Sequence, residues 1–345
     1  MKHTETCAIE IRHYKKHLVI IALGFLALLI LLAVPFIGMK YIPFRAIFSS
    51  SNIRAESEIL WKFRIPRVLI AFLAGSALGL SGMAFQAMFR NPLATPFTLG
   101  VSSGAALGAS IYIKFGIFFS ILGVSGLTLS AFLGAIVSIL IVYGLSKARK
   151  GFSTATMLLA GVAISFFFSS LILFIQYMSD FTHSFRILRW LMGGLDVMGF
   201  APLLNMLPFL IIGAIAIFFL TNEMNLLTIG EEIAVSRGVS VSNIKKLIFF
   251  ATSLMVGGVV AICGPIGFIG MMSPHICRLI IGPNHRYLTP ATFLFGGSFL
   301  ALCDTLSRTL IAPAEIPVGV ITAILGGPFF IWLLLGKGLP ETDLR

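Results

Sequence analysis

Apolar runs of membrane-crossing length recur along nearly the whole of this 345-residue chain, and no other feature narrows its fold so far. A hydrocarbon core roughly 30 Å thick takes about 20 apolar residues to cross as a helix. Runs close to that length fall at residues 18–37, 68–88, 97–113, 117–145, 156–178, 201–221, 247–264, 266–282, 290–305 and 317–335. The expected fold is an all-α polytopic membrane protein, one transmembrane domain over residues 1–345 with ten spans and a cytoplasmic loop at 222–246. Composition excludes a water-soluble globule: 58% of the residues are hydrophobic and 11% are charged, against about 25% charged in soluble domains. The first run follows Arg12, Lys15 and Lys16, as a signal peptide would. Pro35 and Phe36 stand where a small-residue cleavage site belongs, so the run reads as a retained span.

Loop charge orients such a chain. With the N-terminus inside, fifteen of the 25 Lys and Arg are cytoplasmic and ten are external, which places both termini on the cytoplasmic side of a cell (inner) membrane. The net charge of +12 belongs to this asymmetry, because no basic cluster lies in a soluble domain that nucleic acid could use. One external segment runs against the rule: Gly38 to Arg67 holds six bases against Glu56 and Glu58. It is either a landing surface for an acidic partner or an amphipathic loop without one. Within the second and third runs, Gly75 with Gly79 and Gly104 with Gly108 form GxxxG pairs, which let helix backbones approach closely in lipid.

Motifs for covalent chemistry are missing. The sole Gly-Lys pair, Gly336-Lys337, precedes Gly338 and makes no phosphate-binding loop. The six histidines lack metal-ligand spacing, and the cysteines Cys7, Cys263, Cys277 and Cys303 form no CxxC. An ion-coupled secondary transporter is the alternative, but such a carrier usually places an ionisable side chain inside the membrane. The first seven runs have none at their centres, and Arg278 and Asp304 fall toward the ends of theirs. The energy source is therefore expected in a partner.

Four segments interrupt the apolar pattern in a distinctive order. Arg64-Ile65-Pro66-Arg67 opens the second run, where Pro66 suits a helix start. Arg90-Asn91-Pro92-Leu93-Ala94-Thr95-Pro96 forces a reversal, since two prolines so close cannot share a regular helix. Gly230 to Val239 suits a short helix with Glu231 and Glu232 in its first turn and Gly238 as its C-terminal cap. Gly264-Pro265-Ile266-Gly267-Phe268-Ile269-Gly270 leads to Ser273-Pro274-His275 and Arg278, with Asp304 to Arg308 and Glu315 to Val320 beyond.

In this order the segments resemble the permease subunits of type II ABC importers, a family that imports ferric siderophores, haem and corrinoids. The resemblance covers about residues 18–336. It implies ten helices with antiparallel repeats of helices 2–5 and 7–10, although no residue-by-residue repeat is visible. It implies a second permease copy, as a homodimer or a heterodimer, together with two cytoplasmic ATP-binding subunits and an external substrate-binding protein. The chain itself would be no enzyme and hold no cofactor or metal, with ATP and Mg used by the partner ATPase. Transferred by motif, Arg64, Arg67 and Arg308 look like the external cations that receive carboxylates of the binding protein. Glu231, Ala234, Arg237 and Gly238 fall on the family's coupling helix, with Ala234 and Gly238 at its small positions. Arg237 stands where a leucine is frequent. Asn91 and Leu93, with Ser153 and Thr154, resemble the cytoplasmic gate. The expected cargo is a metal chelate, a ferric siderophore first, with haem, corrinoid and molybdate left open.

Overall fold

The computed structural model describes residues 2–38, 42–43, 54–116, 119–121, 123–148 and 154–335. After α1 (Lys2–Ala33) and a tight turn at Val34–Phe36, α2 (Arg54–Ile59) runs through a π-helical turn, Leu60–Arg64, into α3 (Ile65–Phe89). Next come α4 (Val101–Phe115), α5 (Gly126–Ala148), α6 (Thr154–Tyr177), α7 (Phe181–Leu191) and α8 (Ala201–Phe219). The chain continues with α9 (Thr221–Ile229), α10 (Glu231–Ser236), α11 (Val241–Cys263), α12 (Ile269–Ile281), α13 (His285–Thr309) and α14 (Val318–Leu335). One small hairpin pairs β1 (Ser120–Ile121) with β2 (Val124–Ser125), Ser120 opposite Ser125.

Among the described residues, six helical stretches are long and apolar enough to cross a membrane: Tyr14–Phe36, Ala55–Phe89, Gly126–Ala148, Thr154–Tyr177, Ala201–Phe219 and Val241–Cys263. Ile269–Ile281 and Val318–Leu333 are shorter apolar helices. The chain is a multi-pass membrane protein.

Small residues decide which helix is central. The apolar window of α3 is 89% buried, whereas those of α1 and α6 are 22% buried. A Cβ on Gly75 would run into the carbonyl of Gly296 in α13, and one on Gly82 into the backbone of Gly270 in α12. Gly104 and Gly108 meet Gly134 and Ser130 of α5 in the same way. Lipid offers apolar side chains as good a home as a neighbouring helix does, so this backbone contact, rather than exclusion from water, holds the helices together. The outward face of α6 carries Phe166, Phe167, Leu173 and Phe174, a surface suited to lipid. Cys263, Cys277 and Cys303 are buried free thiols.

Helices α3 and α13 lie antiparallel, with Arg67 against Asp304 at one end and Met83 near Thr289 toward the other. The bundle therefore has an arginine end and an Asn91 end.

Pro66 stands in the first turn of α3, as expected, but α3 does not start from a loop. The helical path begins at Arg54, and Pro66 sits inside it because the π turn bonds Ile65 N–H to Leu60. Proline cannot supply the N–H that the Lys62 carbonyl would take in a regular helix. That carbonyl accepts from Gly199 N–H instead, at 2.7 Å, and so fastens the α7–α8 connection to the start of α3.

Candidate functional site

At the arginine end, the cations named by sequence come together. Arg64, at the end of the π turn, donates through Nη1 to the Pro35 and Phe36 carbonyls, both at 3.2 Å. Arg308 donates to Ile37 O at 3.3 Å and pairs with Asp304 one helical turn earlier at 3.2 Å. Both guanidinium groups thereby satisfy carbonyls where the helical path of α1 stops, the place where orphan acceptors and partial negative charge collect.

Arg67 has two faces. Its Nε and Nη2 each lie 2.9 Å from Asp304 Oδ1, a side chain with no solvent exposure. Its Nη1 points the other way, 2.8 Å from Glu315 and 3.9 Å from Asp196, carboxylates that are 40% and 55% exposed. Asp196 also pairs with Arg189 of α7 at 2.9 Å. The result is an alternating chain of charge across α7, the α7–α8 connection, α3, α13 and the α13–α14 connection. The guanidinium groups of Arg67, Arg189 and Arg308 meet the carboxylates of Asp196, Asp304 and Glu315, and Arg64 stands beside them on its backbone carbonyls. Arg64, Arg67, Arg189 and Arg308, with Asp196 and Glu315, border a cavity of about 580 Å³ whose apolar walls include Phe63, Val197 and Met198.

The opposite end is built from turns. Arg90 closes α3 in the left-handed region, at φ 51°, and the Asn91 side chain accepts from Leu93 N–H at 2.9 Å. This local bond holds the reversal and leaves Leu93 exposed. Thr154 is the first residue of α6, while Ser153 lies outside the described residues. Arg278 donates to Gln86 at 2.9 Å, tying α12 to the end of α3. Asn225 of α9 accepts from both the backbone N–H and the ring Nδ1 of His285, at 2.8 and 2.9 Å, and fixes α9 to the start of α13.

Helix α10 stands on this base. Its first turn holds Glu231 and Glu232, and Gly238 follows at φ 82° with open space where a side chain would project. Glu231 is paired at 2.6 Å with Lys245 of α11. Ala234 faces inward and is fully buried by its own chain, so its small size serves the seating of α10 on the bundle. Apart from Ala234, the residues of α10 are exposed, Ile233 and Val235 among them, and so is Arg237 just beyond it.

The sequence motifs brought together Arg64, Arg67 and Arg308 but left out the acids that hold them. Asp304 and Glu315 stood inside a motif without a role, and Asp196, Arg189 and Lys245 stood in none. An acid four residues before Arg308 in an apolar run was the available signal, because such a charge needs a partner.

A family model described as the FecCD transport family matches residues 25–336. The chain belongs to that family. Over 322 residues it is 39% identical to the hemin transport system permease of Yersinia pestis, covering 91% of this chain and 95% of that protein. It is 39% identical over 282 residues to the vitamin B12 import system permease of Klebsiella pneumoniae, covering 81% and 84%. A solved metal-chelate type ABC transporter in an inward-facing conformation superposes with a TM-score of 0.83 at 31% identity, covering 92% of this chain and 98% of that one. The FecCD chain therefore has the type II ABC importer permease fold and is a transport permease by family.

Proposed function

We propose that the chain is the membrane-spanning subunit of an ATP-driven importer that moves a metal chelate inward by alternating access. An iron chelate ranks first as cargo, a ferric siderophore ahead of haem and corrinoid. Two permease copies enclose the pathway and two separate ABC ATPase subunits power it, so ATP and Mg stay outside this chain. The arginine end faces outward and receives carboxylates of a substrate-binding protein through Arg64, Arg67 and Arg308. The Asn91 end faces the cytoplasm, with both termini on that side of the cell membrane. There Asn91 and Leu93, with Ser153 and Thr154, narrow the exit. On the same side α10 engages the ATPase through Glu231, Ala234, Arg237 and Gly238, where Ala234 sets the seat and the exposed residues make the contact.

The observation that carries this reading is the separation, on one FecCD scaffold, of a basic cluster bordering an open cavity from a short exposed helix at the opposite end. Charge brings a partner in quickly and in register. An exposed helix firmly seated on a bundle can pass movement to it. Native mass spectrometry of the complex, followed by reconstitution in liposomes with a radiolabelled ferric chelate, tests the proposal. Two copies of this chain with two ATPase subunits, and uptake that requires ATP, are expected. Uptake by the permease alone, without ATP, would leave an ion-coupled carrier instead.

A further inference from the structure

The three arginines assigned to docking are occupied by this chain's own groups, and the occupants differ in kind. Arg64 and Arg308 are engaged with backbone carbonyls at the end of α1. Arg67 is gripped from behind by Asp304, which water does not reach. On its cavity side, Nη1 is shared between Glu315 and Asp196, which water does reach. A buried, doubly bonded carboxylate is hard to displace, because leaving would strand two buried guanidinium groups. An exposed carboxylate bonded through one nitrogen competes with water at every moment, and such pairs contribute little. The two faces of Arg67 thus differ in exchangeability.

We propose that docking at this end proceeds by carboxylate exchange: an acidic side chain of the external binding protein displaces Glu315 and Asp196 from the cavity face of Arg67, while Asp304 keeps its inner face. This rests on the docking reading above and adds what the permease does when the partner arrives. Glu315 ties the α13–α14 connection to α3, and Asp196 ties the α7–α8 connection to it. The α13–α14 connection keeps its backbone bond from Ile316 N–H to Ser307, and the α7–α8 connection keeps Gly199 on Lys62. Exchange therefore loosens two loops at their charged contacts without detaching them. The chain's own acids also guard the cluster against small anions and unmatched proteins, since a newcomer must outbid both.

The chemistry makes an unusual demand: removing an acid from this permease should tighten its grip on an acidic partner. The purified binding protein of the same host, titrated at low salt against the reconstituted permease–ATPase complex, provides the test. Glu315→Gln and Asp196→Asn keep size and hydrogen-bonding capacity, and each is expected to tighten docking about two- to five-fold, the equivalent of one exposed ion pair. Hydrogen exchange at residues 194–199 and 310–317 is expected to rise on docking to the wild-type chain, and to be already raised in the variants before the partner is added. If both variants dock with unchanged or lower affinity, exchange is wrong, and a variant that fails to assemble leaves the wild-type exchange measurement to decide. The docking reading fails separately, by wild-type docking that does not weaken as salt is added.

Discussion

The two ends of the bundle are built in opposite ways. At the arginine end, Arg64, Arg67 and Arg308 are held by internal acids and carbonyls, and the acids that water also reaches meet the cavity face of Arg67 and the exposed Arg189. At the α10 end, the outer side chains stand exposed, and the fixed points, Lys245, Asn225 and His285, lie behind them. A surface that must release its partner in each cycle gains from internal competition. A surface that stays attached to a motor gains from a rigid seat. Substitution of the buried acid at the first end should therefore disturb fold and docking together, whereas substitutions at the second should separate stability from coupling.

The sharpest way to break this contrast is to remove the buried acid. Asp304→Asn strips both Arg67 and Arg308 of their shared carboxylate and should cost about 3 kcal/mol or more, read as a lowered thermal unfolding midpoint in detergent. Glu315→Gln in the same assay should cost under about 1 kcal/mol, as exposed pairs do. Equal losses would mean that the two faces of Arg67 are not different after all.

The next effect lies at the other end. Glu231→Ala leaves the ammonium of Lys245, 4% exposed, without its carboxylate, and should cost about 1–3 kcal/mol. Adding Lys245→Met should recover most of it, since an apolar side chain has no charge to strand. No recovery would show that Glu231 supports α10 by some route other than this pair.

A smaller stability effect with a larger functional one is expected at Gly238. Its φ of 82° disfavours a side chain by about 1–2 kcal/mol, but nothing lies within 4 Å to collide with one. Gly238→Asn, which tolerates this backbone, should keep substrate-stimulated ATP turnover, whereas Gly238→Trp should lose it by holding the ATPase away. Intact turnover in Gly238→Trp would remove α10 from the coupling path.

How much of this was legible in the sequence depends on the physics each feature obeys. Apolar runs announced the six described helices that are long enough to cross a membrane, out of the ten runs drawn, because lipid sets their length and composition, and the paired glycines pointed to close helix contacts for a similar reason. Helix α7 was missed because its eleven residues include His183, Arg186 and Arg189 and form no apolar run. Helix α13 begins at His285 and runs through Pro290, beyond the bounds drawn from hydropathy, because Asn284 caps it. The ion partners of the arginines were invisible for a different reason: Asp304 lies 237 positions from Arg67 and Glu315 lies 248, and only the folded chain brings them together. Ala234 shows the same limit. A small residue at a motif position does not say which side demands the smallness, and here it faces the chain's own core.

The smallest expected effect tests whether α7 belongs to the movable wall of the arginine end. Asp180 caps α7 by accepting from His183 N–H at 2.8 Å, and that bond together with the His183 ring holds its carboxyl below the usual range. A folded value below the unfolded one means that the cap contributes fully above the ordinary aspartate value and fades as pH falls through the lower folded value. Amide protection along α7 should therefore hold down to about pH 4 and fall only below it, and Asp180→Ala should lower the plateau and flatten that acid limb. Arg189 rides on this helix, so the same acid step should loosen its pairing with Asp196 while Asp304 and α13 stay protected. Simultaneous loss in α7 and α13 would show that the arginine end moves as one block, and the division between exchangeable and permanent partners would fail with it.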